Sequence, residues 1–599
     1  MNTRLLAAVA LCAFAPTLCA AAARQAITPD NVQRLGVAWT YDTHDSTAPL
    51  GGDKPPAFEA TPAYAEGRLY LSTPLGTVVA LDAASGAEIW RIQLGVATDH
   101  WYSDPANRGP TLHGGQLFVG TIDGRLVCLQ VRDGGRCPRF GANGEIDLTK
   151  GLRHPPERPG EYAVTSPPAV WRNLVIVGAA VADNGRTQMA SGEVRAFDAR
   201  TGALRWTFHP LPADSAAGGA NTWSRIVVDA GNGIVYLPTG SPSPDYYGGL
   251  RPGNNGYANS IVALKAATGE VIWHFQTVHH DLWDYDVASP PLLWPSRSGP
   301  AVAVGSKTGH LFLFQRVTGK ALFPIVERPV PASDVPGEHA SPTQPFPTRP
   351  ASLVPQQITE NDLWGATPED LQACRQLFRS LRNEGVFTPP SLGGSLHVPG
   401  NIGGLHWGGI AWDAKHRLLI APVNRYPAII RLIPQDRLNA ARREFPKRET
   451  SAQRGAPYAM SRVFFEAPSS KPCTAPPWGE LVAIQADSGE VAWRIPLGDL
   501  REAFGATSAP AQLAPPNLGG PATTDNGIVF IGAAVDPYFR AFDTRDGRKL
   551  WEAKLPASVR ATPLIYTLPG GRQMVAVAVG GHDTPLSRLD TRLMVFALQ

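Results

Sequence analysis

The sequence predicts an all-β fold, an eight-bladed β-propeller with tryptophan-docking repeats and a partly helical insertion, and three observations lead there. A motif ending in Gly-x-x-x-Trp recurs along the chain. Each copy follows a run of β-branched and aromatic residues, such as Gly67-Arg-Leu-Tyr-Leu-Ser72 or Gly527-Ile-Val-Phe-Ile-Gly532. Gly (60) and Pro (57) interrupt the 599 residues too often for long helices.

The repeats justify the blades in order. Ala80-Leu-Asp-Ala-Ala-Ser-Gly86-Ala-Glu-Ile-Trp90 is echoed at 196–206, 263–273, 483–493 and 541–551. Degenerate copies run through Arg132-Asp-Gly134 to Cys137 and through Val317-Thr-Gly319 to Phe323. In each copy the Asp-x-x-Thr-Gly stretch makes a tight hairpin in which Gly takes the positive φ, and the flanks alternate as strands. Such a unit cannot bury its sheet alone, so neighbours stack radially with the Trp covered by the next unit. Repeat ends at 90, 137, 206, 273, 323, 493 and 551 give seven units; the interval between 323 and 493 calls for another, expected around 408–413 and 418–422. The same interval carries the insertion, about 325–400. Its first part is Pro-rich, and Thr367-Pro-Glu-Asp370 then starts a helix expected to reach about Asn383 and stop at Gly385.

Arg4, the apolar run 5–15, Pro16 and the tract 20–23 read as a secretory signal over 1–23, which makes 24–599 an exported, periplasmic propeller, with a single uncleaved anchor as the alternative that Pro16 and the crowded alanines disfavour. Four of the six Cys then remain: Cys128, Cys137, Cys374 and Cys473. An even count outside the cytoplasm permits two disulfides in any of three connectivities, and buried free thiols are the alternative. The spacing of Cys128 and Cys137 fits adjacent strands of one hairpin. No Cys-x-x-Cys-His is present, so no attached c-type haem is expected. Lys+Arg 54 against Asp+Glu 51 is too balanced for a nucleic-acid binder.

The densest unusual segment is Thr277-Val-His-His-Asp-Leu-Trp-Asp-Tyr-Asp286. Any one of these residues suits a solvated loop. Together, Asp284 and Asp286 can chelate a hard cation, or one can act as a base beside it. Glu59, Asp183-Asn184 and Lys307 are the other polar residues standing in apolar surroundings. Brought together from separate blades they would suit an anionic, metal-bound cofactor.

A collinear set of further stretches carries a resemblance. It includes Thr165-Ser-Pro-Pro168, Asp183-Asn-Gly-Arg186, Gln276-Thr-Val-His-His-Asp-Leu-Trp-Asp284, Phe387-Thr-Pro-Pro-Ser391, Pro399-Gly-Asn401, Pro476-Pro-Trp-Gly479 and Gly580-Gly-His582. Over about 30–599 the chain resembles the dehydrogenases that use pyrroloquinoline quinone (PQQ), eight-bladed propellers with PQQ and a divalent cation on the axis. The likeness is strongest to the membrane glucose dehydrogenase and quinate dehydrogenase branch. It implies oxidation of a sugar, polyol or cyclic hydroxy acid by hydride transfer to PQQ, with the metal as Lewis acid.

Residue by residue, Asp284 matches the catalytic acid/base, and Lys307 the cation on the quinone oxygens. Asp183, Asn184, Ser241 (or Ser243), Asp284 and Asp286 match the metal region. Trp223 matches the floor under PQQ, with Glu59, Arg108, Thr165, Asn401 and Trp478 as further contacts. His100 and His582 match histidines near the substrate end, His100 with a catalytic part. The implied metal is calcium or magnesium, Asp286 leaving a lanthanide open, and the implied electron acceptor is ubiquinone or a cytochrome.

Three departures stand against the likeness. There is no adjacent Cys pair, as in the alcohol-dehydrogenase branch; there are no multiple N-terminal membrane helices, so membrane contact is expected to be peripheral at most; and Leu589-Asp-Thr-Arg-Leu-Met594 replaces a usual Gly-Asp pattern. The rival reading is a non-enzymatic propeller scaffold resembling the outer-membrane assembly lipoprotein. Such a scaffold shares the Trp repeats but has no use for Asp284, Lys307 and Asp183-Asn184 together.

Overall fold

The computed structural model describes residues 26–446, 448–505 and 512–599; the leader expected over 1–23 lies outside them. Antiparallel four-stranded sheets follow one another along the chain. The first is Ala63–Ala65, Arg68–Ser72, Thr77–Asp82 and Glu88–Gln93, and the second starts at Thr111–His113 and ends at Glu145–Asp147. Sheets beginning at Ala169–Trp171 and Val227–Asp229 end at Leu204–Phe208 and Val271–Gln276. A three-stranded sheet, Leu292–Ser296, Gly299–Gly305 and Leu311–Gln315, comes next, and a later four-stranded one runs from Ala522–Thr523 to Lys549–Lys554. In the last sheet the N-terminal strand Leu35–Asp42 pairs with the C-terminal Arg592–Leu598, beside Gln573–Val579 and Leu564–Thr567.

First strands of neighbouring sheets touch: 63–65 meets 111–113, which meets 169–171, which meets 227–229. Likewise 292–296 meets 411–413, then 522–523, then 564–567. The Tyr64 and Tyr566 rings, 4.8 Å apart, join the last sheet to the first. The result is an all-β, propeller-like fold whose first strands line an axial cavity of about 930 Å³. No helix among the described residues is long and apolar enough to cross a membrane.

The repeat has a physical meaning at each junction. Trp39, Trp90, Trp206, Trp273 and Trp493 each donate the indole N–H to a backbone carbonyl of the next sheet, at 3.3, 3.1, 3.0, 3.0 and 2.8 Å. The hairpin glycine of that next sheet lies flat on the same indole. A Cβ at Gly86, Gly134, Gly269, Gly319 or Gly547 would stand 2.5–2.8 Å from ring carbons. The two degenerate copies lack the Trp, and their successors are covered otherwise: Gly202 packs on Gly141, and Gly489 on Arg349 and Pro350. The Trp551 indole reaches Leu35 O at 3.2 Å and so joins the end of the chain to its beginning.

Two expectations are corrected in the long interval. The strands Ala411–Asp413 and Leu418–Asn424 pair with Gly479–Gln485 and Val491–Pro496, so they are the inner half of the sheet ending at Trp493 and not a separate unit. The sheet of the terminal strands carries no repeat motif, and the sequence pattern does not announce it. The helix starts as expected, Thr367 accepting from Asp370 N at 3.2 Å, but it spans Pro368–Arg379 and stops short of Asn383. Its last amides tighten onto Leu377 and Phe378 carbonyls, and Arg382 N then pairs with Gly394 O.

Beyond the insertion, a second excursion leaves the ring between Asn424 and Gly479. With Ser395–His397 it builds a further sheet from Ala428–Pro434, Tyr458–Phe464 and Glu449–Ser451. Cys374–Cys473 ties the helix to that excursion, and Cys128–Cys137 closes the hairpin.

The indole contact can be separated from the backbone cost by two substitutions at matched φ. A methyl group on Gly253 (φ +76) would meet nothing within 4 Å, whereas one on Gly269 (φ +75) would meet Trp206. Gly253→Ala is expected to lose about 1–2 kcal/mol from the left-handed backbone alone, and Gly269→Ala about 1–3 kcal/mol more from overpacking. Urea unfolding of the two variants checks this; equal losses would remove the indole from the account.

Candidate functional site

The segment 277–287 leaves the strand Val271–Gln276 and turns through a series of bends in the interior of the molecule. Val278, Leu282, Trp283 and Tyr285 build an apolar wall with Phe387. Trp283 donates to Thr388 O at 2.7 Å, Tyr285 donates to Pro399 O at 2.7 Å, and both rings pack on Phe387. His279 and His280 fasten the loop to Gln276 and Glu327, and to Gly253 O and Glu338. Asp281 accepts from the backbone N–H groups of Trp283 and Tyr285 at 3.3 and 3.2 Å. Asp284 and Asp286 line a cavity of about 340 Å³. Asp284 sits at φ 60, a left-handed conformation that Asp tolerates and that the fastened loop imposes.

Lys307 enters from the turn after Gly299–Gly305. Its N–H donates to Asp286 O at 3.0 Å, and its ammonium lies 2.6 Å from Asp284 Oδ1 and 2.8 Å from Asp286 Oδ2. Burial would lower this ammonium's pKa, but the two carboxylates outweigh that and hold it protonated. Asp286 also accepts from the Trp223 indole N–H at 3.1 Å and from Ser241 N at 2.7 Å, while Ser241 Oγ bridges Asp281 and Asp286. The other oxygen of Asp284 meets Arg462 Nη1 at 3.2 Å and Tyr246 Oη at 3.4 Å. Arg462 is itself held by a bidentate pair with Glu449.

Asp183 and Asn184 follow the strand Ala180–Val181 and line the same cavity. Asn184 Nδ2 donates to Asp245 at 2.5 Å, and the second carboxylate oxygen of buried Asp245 has no partner. Burial pushes Asp183 up to about 8, with Asp284 and Asp286 adding to it, and pushes Asp284 up to about 7 against the pull of Lys307. Asp245 is raised well above its usual range by burial and by Asp183. Carboxyl groups outnumber the cations here, so the donor set asks for another positive charge. Hard oxygen donors of this kind suit calcium or magnesium. Among the described residues no three His, Cys, Asp or Glu groups form a finished metal cluster, so a cation here would draw its remaining ligands from a bound molecule or water.

On the axial side, a two-residue parallel pairing of Ala57–Phe58 with Ala106–Asn107 sets Glu59 beside Arg108. Glu59 lies between Arg108 Nε at 2.9 Å and Arg560 Nη2 at 2.7 Å. Arg108 donates to Thr165 Oγ1 at 2.8 Å and spreads over the Trp407 ring, 4.6 Å from its centroid, and the Trp223 ring, 5.5 Å away. Ser166 Oγ donates to the Trp223 backbone carbonyl at 2.7 Å and holds the chain at that residue.

The cavity thus gathers Asp183, Asn184, Trp223, Asp284, Asp286 and Lys307, with Ser241 one layer deeper. Glu59, Arg108 and Thr165 form a linked group that reaches the same indole through Arg108. Asn401, with its Oδ1 buried and unpartnered, lies on the loop whose Gly403 packs on Lys307. Trp478 is buried in an apolar cluster with Tyr426 and Trp364, its N–H on Thr474 O. His100 is exposed beside Asp99 on the loop whose Trp101 and Ser103 line the cavity, and His582 is buried with its ring toward Val559 O. Arg462, Glu449, Tyr246, Asp245 and Arg560 escape sequence reasoning. They stand in loops and in the second excursion, with no repeat or spacing to single them out.

The family model described as "PQQ: Glucose/ethanol/alcohol dehydrogenase, beta-propeller domain" matches residues 22–575. The chain is 34% identical over 604 residues to the quinate/shikimate dehydrogenase (quinone) of Acinetobacter baylyi, covering 93% of this chain and 74% of that protein. It is 34% identical over 612 residues to the quinoprotein glucose dehydrogenase of Escherichia coli, covering 96% and 76%. Among solved structures, the quinohemoprotein alcohol dehydrogenase of Comamonas testosteroni superposes with a TM-score of 0.68 at 24% identity, over 96% of this chain and 78% of that one. The chain belongs to the PQQ-dependent quinoprotein dehydrogenase family.

Glu59 lies between two guanidinium groups with its side chain fully buried, and the next carboxylate, Asp104, stands 3.9 Å from Arg108. Glu59→Gln keeps the shape and removes the charge, and is expected to cost about 3–5 kcal/mol of stability, the scale of a broken buried ion pair. Chemical denaturation checks this; a loss below about 1 kcal/mol would mean that the two arginines find other partners.

Proposed function

We propose that this family member, a ring of eight blades, is a periplasmic quinoprotein that binds PQQ and one divalent cation and oxidises a sugar, polyol or cyclic hydroxy acid. The observation that carries the reading is the buried Asp284–Lys307–Asp286 group beside the Trp223 indole, in a cavity of about 340 Å³, within the usual size of small-molecule sites. When bound, PQQ supplies a quinone that takes up two electrons, and the cation supplies a Lewis acid beside it.

The chain's own residues divide the remaining work. Asp284 is the general base. Its Oδ1 is held by Lys307, so Oδ2, with only the longer contacts to Arg462 and Tyr246, is the oxygen that receives the substrate hydroxyl proton. Lys307 donates toward the cofactor oxygens and holds both carboxylates in place. Asp183 and Asn184 serve the cation, with Asp284 and Asp286 facing the same space and Ser241 orienting Asp286. Trp223 is the flat floor, its indole fixed by Asp286 and its backbone carbonyl by Ser166. Glu59, Arg108, Thr165, Asn401 and Trp478 complete the cofactor's surroundings, and His100 is the candidate substrate contact at the rim. Ubiquinone or a cytochrome receives the electrons.

A dye-linked assay of the protein reconstituted with PQQ, run over aldoses, polyols, quinate and simple alcohols, tests the reading. Turnover is expected with sugars, polyols or cyclic hydroxy acids ahead of simple alcohols. Chelation should abolish it and Ca²⁺ or Mg²⁺ restore it; full activity in the metal-stripped protein would refute the cation's part.

Asp284→Asn should still take up PQQ, read by absorbance, while turnover falls at least ~10²-fold, the scale of a lost general base. As a base, Asp284 works deprotonated. With its pKa pushed up to about 7 by burial, kcat/KM should fall as pH drops through that region, and bound cation should move the limb to lower pH. Near-normal turnover of Asp284→Asn with PQQ bound would move the base elsewhere.

A further inference from the structure

The second excursion contributes to the catalytic cavity with only one of its faces. Strands Glu449–Ser451 and Tyr458–Phe464 pair with Glu449 opposite Arg462 and Thr450 opposite Ser461. Glu449, Ser451 and Arg462 line the catalytic cavity. Thr450 and Ser461, one residue out of phase, therefore point to the other side of the sheet. Arg431, opposite Ser461 on the neighbouring strand, shares that side. There the short helix Leu438–Glu444 and the turn after it enclose a separate cavity of about 320 Å³.

The chemistry of this second cavity is cationic and apolar together. Arg431, Arg437 and Arg448 line it, against a single carboxylate, Glu444. Arg437 and Arg448 make no ion pair among the described residues; Arg448 instead stacks on the Phe445 ring, 3.9 Å from its centroid. Arg431 spends one amino group on Gly393 O at 2.9 Å and leaves its Nε buried without a partner. Burial and then the neighbouring Arg431 press Arg448 below the usual guanidinium range, outweighing the opposite pull of Glu444. Leu392, Ile433 and Phe445 supply apolar wall, and Leu392 is 43% exposed.

We propose that this cavity is a second binding site, for a phosphate group borne on an apolar body, on the side of the sheet away from the catalytic residues. Three guanidinium groups offer more donors than a carboxylate's two oxygens can use, and their planar forks match phosphate oxygens in pairs. The exposed leucine and the phenylalanine suit the apolar part of such a ligand. A soluble phosphoester and the headgroup of a phospholipid share this chemistry.

The test uses the PQQ- and cation-loaded protein. Butyl phosphate and inorganic phosphate are titrated by calorimetry with butyrate alongside, and co-sedimentation is measured with vesicles of phosphatidylcholine with and without phosphatidylglycerol. Arg437→Gln/Arg448→Gln is compared with Arg443→Gln/Arg375→Gln, which removes the same charge from exposed positions outside the cavity. Saturable binding weakened at least tenfold in the first pair and less than twofold in the second supports the site. Butyl phosphate in solution then identifies a free phosphoester, and binding only to phosphatidylglycerol vesicles identifies a lipid headgroup. Three results overturn it: no saturable binding to any probe, equal weakening in both pairs, or butyrate binding as tightly as butyl phosphate. Unchanged dye-linked activity in both pairs guards against loss of fold.

Discussion

The contact on which the rest depends is the flat seating of a hairpin glycine on the preceding sheet's tryptophan. It combines a steric requirement, no Cβ at Gly86, Gly134, Gly269, Gly319 or Gly547, with a hydrogen bond from the same indole to the adjacent carbonyl. Each contact fixes the distance and tilt between two sheets, and the last, Trp551 to Leu35, returns to the start of the chain. The terminal strands pair over their full length there, with Leu35–Asp42 as the outermost strand of that sheet. Within that frame, loops from separate sheets converge on the centre: Asp183, Asp284 with Asp286, and Lys307.

The convergence is electrostatically expensive, and its arrangement reflects this. Five aspartates, at 183, 245, 281, 284 and 286, crowd the region, with Lys307, Arg462 and Arg251 among them. Burial alone raises the pKa of each carboxyl group that shifts, and neighbouring carboxylates add to the shift, because each charge lost to low dielectric costs more than water would exact. Lys307 relieves two of them at once, and Ser241 and the Trp223 indole share Asp286. Asp183 and Asp245 receive no comparable relief. A pocket left in this condition favours whatever brings positive charge and hard Lewis acidity to it.

Legibility in the sequence follows the physics. Blades defined by a short-range motif can be read, because Gly, Trp and the alternating flanks sit at fixed offsets within eleven residues. The sheet joining the two termini cannot, since its pairing spans most of the chain and leaves no local mark. The interval after 323 misleads for a related reason: the inner strands 411–413 and 418–424 look like a unit of their own because the 425–478 excursion separates them from their outer partners. In the site, Asp284, Asp286, Lys307, Trp223 and Asp183-Asn184 are legible as polar or aromatic residues out of place in apolar runs, or as matches to family motifs. Arg462 and Arg560 are not, because an arginine in a loop is ordinary until its carboxylate partner is known. The two histidines of 277–286 are conspicuous for a reason other than chemistry; they hold the loop.

The division between ring and excursion bears on how such a site acquires its substrate. The ring supplies the buried carboxylate pair, the lysine and the indole. The excursion, tied by Cys374–Cys473 to the inserted helix, supplies Arg462, Glu449 and Ser451 to the open side of the same cavity. Arg462 touches both parts, since it pairs with Glu449 on its own sheet and with Asp284 on the ring. A rigid scaffold carrying variable loops is the usual way one chemistry is turned to different substrates. Here the excursion also contacts Asp284 through Arg462, so a change in the excursion also alters the surroundings of that carboxylate. Under the proposed function, in which Asp284 is the base, recognition by the excursion and proton transfer would therefore be coupled through the one guanidinium of Arg462.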